Sequence, residues 1–158
     1  MLIQRLIEIR ISKKNEKWLR SEGAIEHGKK HYKFIVILHI LFFISMIVEY
    51  NSSDRSNELN TINYLFLVFF FILQISRIWV LRTLGKYWNT RILRIPGSQL
   101  IKAGPYKYFK HPNYIIVVCE IFTIPMIFNL FLTAIVFTIL NAVMLSIRIR
   151  SENNALKN

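Results

Sequence analysis

Cysteine is almost missing from this chain: Cys119 stands alone among 158 residues. One thiol excludes an intrachain disulfide and a cysteine zinc site. Glycine is scarce too. Gly23, Gly28, Gly85, Gly97 and Gly104 are the full set, and none falls into a GxGxxG or a phosphate loop. Any nucleotide-like cofactor must therefore be held without a Rossmann or Walker site. The histidines are His27, His31, His39 and His111. His27 and His31 are four apart but lack the acidic helper of HExxH, so they read as surface residues and no metal is expected. Nor does an ordinary signal peptide open the chain, because Arg5, Glu8 and Arg10 interrupt the apolar residues of the first eleven.

Acidic residues are few as well, nine against 21 lysines and arginines, for a net charge of +12. A nucleic-acid binder would carry such a surplus on a soluble face. Here it lies in blocks between long apolar runs, and 53% of the residues are hydrophobic. That pattern is one of an integral membrane protein, with lipids as neighbours and no nucleic-acid partner. Four runs stand out: Phe34 to Tyr50, Ile62 to Leu81, Tyr114 to Phe128 and Leu130 to Ile147. A spanning helix takes about 20 residues, and backbone in hydrocarbon must bond to itself. The fold class expected is all-α and polytopic, with about four transmembrane helices. The last two runs are joined by IPMIFNLF, where Pro125 and Asn129 are the breakers, so they form an antiparallel hairpin with an uncharged turn.

The first stretch mixes Leu2, Leu6, Ile9 and Ile11 with charges. It reads as an interfacial helix, or as a shortened first span that would bring the number to five. One domain covers 1–158: an interfacial or first helix at 1–33, two spans at 34–81, a cytosolic segment at 82–113, the hairpin at 114–147 and a cytosolic end at 148–158. Nine basic residues precede Phe34, eight lie between Arg77 and Lys110, and Arg148, Arg150 and Lys157 follow the last run. The loop from Asn51 to Thr61 has only Arg55 against Asp54 and Glu58. The positive-inside rule then puts the first block, the 82–110 loop and the C-terminus in the cytosol of a multi-pass cell-membrane protein. The sequence leaves the oligomeric state open.

Polar residues inside such a chain are candidates for function. Glu120 sits within the third run, where a carboxylate costs a few kcal/mol. It is expected to bond Asn141 or Arg77, or to stay neutral. Glu49 reads as interfacial and His39 as a satisfied bundle histidine. On a helix Asn141, Leu145, Arg148 and Glu152 share one face. Arg148 and Glu152 are then either a weak surface pair or one wall of a site, at the level of the segment AGPYKYFKHPNY that introduces the third run.

Together, SQLIKAGPYKYFKHPNY and, some way downstream, RIRSENNAL resemble the signature of the isoprenylcysteine carboxyl methyltransferase family. Its pattern is GxYxxxRHPxY, a helical hairpin and RxxxEExxL. The stretches LGKYWNTRILRIPGS and NEKWLRSEGAIEHGKKHY are similar to those of small bacterial members. The resemblance implies a membrane methyltransferase that uses S-adenosyl-L-methionine in a cytosol-facing pocket, with a lipophilic acceptor entering from the bilayer. By position it implies that Ser98, Gln99, Leu100, Ile101, Tyr106, His111, Pro112, Asn113, Tyr114 and Glu152 bind the cofactor. Arg148 would position the acceptor. The residue types fit: a sulfonium favours aromatic faces, and methyl transfer needs alignment more than acid–base groups. Lys110 replaces the arginine before His–Pro, Asn153 replaces the second acid, and longer members continue beyond the position of Leu156.

The acceptor expected is a long-chain polyketide or alkylpyrone rather than an isoprenylcysteine, methylated on a carboxyl or hydroxyl oxygen, since bacteria generally lack prenylated CaaX proteins. Two other functions compete. A membrane reductase would use a reduced nicotinamide cofactor, and a non-enzymatic scaffold would use neither cofactor.

Overall fold

In a computed structural model, residues 2–52 and 59–155 are described. Asp54, Arg55, Glu58 and Lys157, on which part of the charge reading rests, and Leu156, which ends the second motif, lie outside them. Five helices carry the fold: α1 (Leu2–Ser21), α2 (Lys29–Ser52), α3 (Thr61–Leu84), α4 (Pro112–Ile127) and α5 (Phe131–Ala155). Two short strands, β1 (Ile25–His27) and β2 (Ile92–Arg94), were not anticipated. His27 therefore ends a strand, and does not share a helix face with His31. Among the described residues, three stretches are long and apolar enough to cross a membrane: Tyr32–Ser52, Thr61–Tyr87 and Phe131–Asn154. The chain is thus an all-α polytopic membrane protein, in which α4 is the short member. Its 16 residues rise about 24 Å.

The helix ends explain the boundaries. Asn60 caps α3 by accepting from the N–H groups of Ile62 and Asn63, and the Asn63 side chain bonds back to the Asn60 N–H. Pro112 takes the first position of α4, where a missing N–H costs nothing. Asn129 turns the hairpin with φ at +56°. The Asn63 amide steadies that turn by donating to Met126 O at 3.1 Å and Asn129 Oδ1 at 2.8 Å. Glu49 does more than sit at an interface. Its carboxylate accepts from the N–H groups of Leu132 and Thr133 at 3.1 and 2.7 Å, capping the positive end of α5.

Helix α4 lies at the centre, packed on α3 and α5, and α2 packs on α5. Leu38 and Phe42 of α2, Val117, Ile121 and Ile124 of α4 and Phe137 of α5 form the main apolar cluster. Ile and Leu side chains on the outer faces of α2, α3 and α5 point away from the protein, as suits helices solvated by lipid.

Helix α1 is turned the other way round. Its inward stripe is polar: Glu8, Ser12 and Asn15 are buried, with Leu19 after them. Leu6, Ile7, Ile9 and Ile11 face outward. The reason is the partner it meets. Arg77 and Glu120, each 2% exposed, join α3 to α4 through two hydrogen bonds, Nε–Oε1 at 2.9 Å and Nη2–Oε2. Gln74 donates to Glu120 at 2.8 Å. Glu8 lies 3.5 Å from Arg77, and Arg5 bridges Glu8 at 2.8 Å and Glu120 at 3.4 Å. Of the two partners expected for Glu120, the structure uses Arg77. His39 is satisfied locally, its Nδ1 lying 2.7 Å from Ile35 O.

Two predictions follow from this arrangement. Glu120→Ala strands Arg77, and thermal unfolding in detergent is expected to show a loss of about 3–5 kcal/mol. Arg77→Met with Glu120→Met removes both charges, keeps the Arg5–Glu8 pair, and should recover most of that loss. Equal losses in the single and double variants would contradict the pairing. In membranes of a Cys119→Ala background, Ile7→Cys should resist a water-soluble maleimide that labels Lys17→Cys. Equal labelling would place the whole of α1 in water.

Candidate functional site

The two strands pair antiparallel, Ile25 opposite Arg94, Glu26 opposite Leu93 and His27 opposite Ile92. They bind the α1–α2 connection to the long α3–α4 connection. Glu26 secures the pairing from its side, meeting Arg20 at 2.5 Å and Arg91 at 3.0 Å. After β2, Arg94 donates to the Ser98 hydroxyl at 2.8 Å and to the Ser98 carbonyl, closing the turn that leads to Gln99. The chain then returns to α3 at Gly104. Its φ is +51°, and a Cβ there would meet Thr83 Oγ1 at 2.7 Å. Only glycine allows the approach, which seats Pro105 and Tyr106 against the bundle just before His111.

At that level α5 runs on past the apolar run and carries Arg148 and Glu152 beside the start of α4. The Tyr114 hydroxyl is the meeting point. It donates to Glu152 Oε2 and accepts from Arg148 Nε at 2.9 Å. Arg148 and Glu152 are joined through this tyrosine, where the sequence pointed to a direct surface pair or a site wall. The Arg148 guanidinium also lies over the Tyr114 ring, 5.6 Å from its centroid, and its Nη2 donates to Thr90 O at 2.5 Å. His111 stacks on the Tyr114 ring, at 5.3 Å between centroids.

His111 has an acceptor on each nitrogen. Nδ1 lies 3.5 Å from Glu152 Oε2, and Nε2 lies 3.2 Å from Asn153 Oδ1. The bond to Glu152 raises the His111 pKa above its ordinary value, against the opposing effect of burial. Two acceptors are what an imidazolium needs. Asn153, which replaces a second acid, thus keeps an oxygen where the histidine requires one. Burial pushes the Tyr106 phenol up, so it stays protonated.

Two adjoining cavities open around these groups. The larger, about 500 Å³, is lined by Ser98, Gln99, Leu100, Ile101, Lys107 and Lys110 among others. The smaller, about 120 Å³, is lined by His111, Asn113, Tyr114 and Arg148. Leu84, Tyr87, Leu93, Arg94, Tyr106 and Glu152 line both, so the two are chambers of one space. The larger falls within the roughly 300–1,000 Å³ typical of ligand pockets. Of the cofactor and acceptor residues that the resemblance implies, Pro112 alone lines neither chamber; it starts α4 instead. Tyr87, Trp88, Asn89 and Arg91 line the smaller chamber without having been singled out. Their signal was the aromatic and basic stretch after α3, read there only as a resemblance.

The lining suits an amphoteric, nucleotide-like cofactor carrying a sulfonium. Aromatic faces, a carboxylate at Glu152 and cations at Arg94, Lys107 and Lys110 surround the space. Asn113 Oδ1 is buried with no hydrogen-bond partner among the described residues, and it borders the smaller chamber. A buried acceptor of this kind is costly unless something else donates to it.

Comparison with known proteins agrees with this reading. An uncharacterized protein of Bacillus subtilis (strain 168), YpbQ, is 44% identical over 160 residues, covering 99% of this chain and 92% of its own. An uncharacterized protein of Haemophilus influenzae (strain ATCC 51907 / DSM 11121 / KW20 / Rd) is 28% identical over 158 residues, covering 99% of this chain and 90% of its own. No solved structure matches significantly. Residues 65–158 match the pattern of the isoprenylcysteine carboxyl methyltransferase (ICMT) family, and the stretch includes α3 after its first turn, α4, α5 and both motifs. Members of that family are membrane methyltransferases that take the methyl group from S-adenosylmethionine, and this membrane chain belongs to it.

Proposed function

We propose that this chain moves a methyl group from S-adenosylmethionine to a carboxyl or hydroxyl oxygen of a lipophilic acceptor. The observation that carries the reading is the Tyr114 junction. One hydroxyl ties Glu152, which lines both chambers, to Arg148, which lines the smaller chamber and a second small pocket with Tyr32 and Ile35 of α2. S-adenosylmethionine, when bound, supplies an electrophilic methyl on a sulfonium. The protein's part is alignment.

Residues Ser98 to Ile101, Tyr106, His111, Asn113, Tyr114 and Glu152 are the cofactor-binding set in this proposal, and Pro112 sets the start of the helix that bears Asn113 and Tyr114. Glu152 favours positive charge in the chamber and Asn113 Oδ1 waits for a donor. Arg148 keeps an acceptor oxygen anionic, because guanidinium pairs well with carboxylate or enolate. An acceptor oxygen held as its anion by Arg148 would take the methyl group that S-adenosylmethionine supplies, its proton having passed to water beforehand. The acceptor proposed is a bilayer-borne small molecule of the long-chain polyketide or alkylpyrone kind, and the bacterial relatives favour it over a prenylated protein. The site is proposed to face the cytosol at the cell membrane, a reading supported by the positive-inside rule.

Calorimetric titration of the purified protein with S-adenosylmethionine tests the first half. Saturable binding is expected. His111→Ala and Glu152→Gln should each weaken it tenfold or more, the equivalent of one charge-assisted hydrogen bond at about 1.5–3 kcal/mol. Binding of a reduced nicotinamide cofactor instead would turn the reading to a reductase. Binding of neither by the folded protein would leave a scaffold.

The pH dependence has a definite sign. A histidine whose pKa is raised on folding adds stability that is complete below its unfolded value of about 6.5 and is lost as pH rises through the folded value. By NMR, His111 should titrate above that reference, and Glu152→Gln should bring its midpoint down. A midpoint unmoved by Glu152→Gln would dissociate the pair.

A further inference from the structure

Helix α1 lends Leu19 to the lining of the larger chamber, and its buried polar stripe reaches the smaller one by a continuous path. Ser12 is 3% exposed. Its Oγ accepts from the Thr90 N–H at 3.0 Å and lies 2.9 Å from the Thr90 hydroxyl. The Ser12 carbonyl accepts from the Asn89 amide at 3.0 Å. One turn further on, Asn15, 8% exposed, donates to the carbonyls of Gly85 and Trp88 at 3.0 and 2.8 Å. The other end of the path is the Thr90 carbonyl, which accepts from Arg148 Nη2 at 2.5 Å.

The connector from Gly85 to Thr90 has left α3 and lies between it and β2, so its backbone groups need partners from elsewhere. Asn15 supplies two of them and Ser12 a third. A serine within a helix ordinarily bonds back to its own preceding turn or to water; this one reaches across to another segment. What it holds is the residue whose carbonyl aims the guanidinium. Arginine has five N–H donors in a fixed plane. Thr90 fixes one edge of that plane and Tyr114 fixes Nε. With two points set, the remaining donors have one direction to face. Were Thr90 free to shift, Arg148 would keep its charge and lose its aim.

We propose that Ser12, supported by Asn15, is a positioning residue that orients Arg148 through the backbone of Thr90. The proposal rests on the reading of Arg148 as the acceptor-side group. It gives α1 a task beyond attachment. The helix joins the ion cluster at Glu8 and sets the site at Ser12.

The test is the rate at which phenylglyoxal, an arginine-selective dicarbonyl, modifies Arg148, followed by mass spectrometry in an Arg150→Lys background. Slow modification is expected in the parent. Ser12→Ala should accelerate it about fivefold, the factor expected for one lost buried hydrogen bond. Thr90→Val keeps the N–H that Ser12 holds and should accelerate it less. Adding Thr90→Val to Ser12→Ala should change little, because the two act on one path. Phe42→Leu, a truncation in the apolar cluster of α2, should lower the melting temperature and leave the rate alone. An unchanged rate in Ser12→Ala, or an equal acceleration in Phe42→Leu, would overturn the proposal. S-adenosylmethionine should bind Ser12→Ala within about twofold of the parent, since an orienting role acts on the acceptor side and costs less than one hydrogen bond there; loss of binding would mean that α1 holds the whole site together. If the parent itself binds no S-adenosylmethionine, the methyl-transfer reading fails, and the modification rates still decide what Ser12 does.

Discussion

The Arg77–Glu120 pair is the constraint on which the remaining structure depends. Arg77 lies about two turns before the end of α3 and Glu120 about two turns after the start of α4. Neither charge is tolerable alone at that depth, so each dictates where the other must be. The pair fixes the axial register of α3 against α4. The second pair, Arg5 with Glu8, brings α1 to the same point. Two positive and two negative groups make the cluster neutral, with Gln74 occupying a further lone pair of Glu120. An inverted helix follows directly. α1 could face its apolar side inward only by leaving Arg77 and Glu120 with fewer partners.

Register and rotation are set together. Tyr114 precedes Glu120 by six residues, which at 100° per residue is a turn of roughly 240°. With Glu120 held toward Arg77 of α3, Tyr114 is swung away from α3 and toward α5. There it meets Arg148 and Glu152. The ion pair and the site are therefore coupled through a single short helix. α4 has little freedom to rotate one without the other, because Ile116, Val117, Ile121 and Ile124 are buried around it.

Much of this was legible in the sequence, for reasons that differ by element. Apolar runs of spanning length give their helices away, and α2, α3 and α5 fall where the runs fall. The inward face of α5 was legible too, because Asn141, Leu145, Arg148 and Glu152 follow helical spacing, and Asn141 and Leu145 are indeed buried. The polar face of α1 was not legible. Interleaved charges and leucines look alike whether the apolar side faces protein or lipid, and what decides is a partner on α3 and α4 that is more than 60 residues away. The strands escaped for another reason. Three residues each carry no measurable alternation, and their pairing is long-range. Tyr87, Trp88 and Asn89 belong to a connector whose shape comes from contacts with Ser12 and Asn15, and local spacing does not encode such contacts.

In lipid, apolar surface alone gives helices no reason to associate, since the solvent is as apolar as leucine. Polar ties have to supply what burial supplies in water. They occur along the whole height of this bundle. Asn63 holds the hairpin turn, Ser45 meets Thr133 at 2.8 Å, Glu49 caps α5, Arg77 meets Glu120, and Tyr114 joins Arg148 to Glu152. Between them they join α3 to α4 twice, α2 to α5 twice and α4 to α5 once, so α5 takes part in three of them. The consequence concerns the site directly. α5 is the helix that delivers Arg148 and Glu152, and its height is set from its far end by Glu49 and Ser45. A change at the hairpin end is transmitted along one rigid helix to the groups that would align the methyl transfer. Precision at the mouth of the site is thus established partly at the opposite end of the bundle.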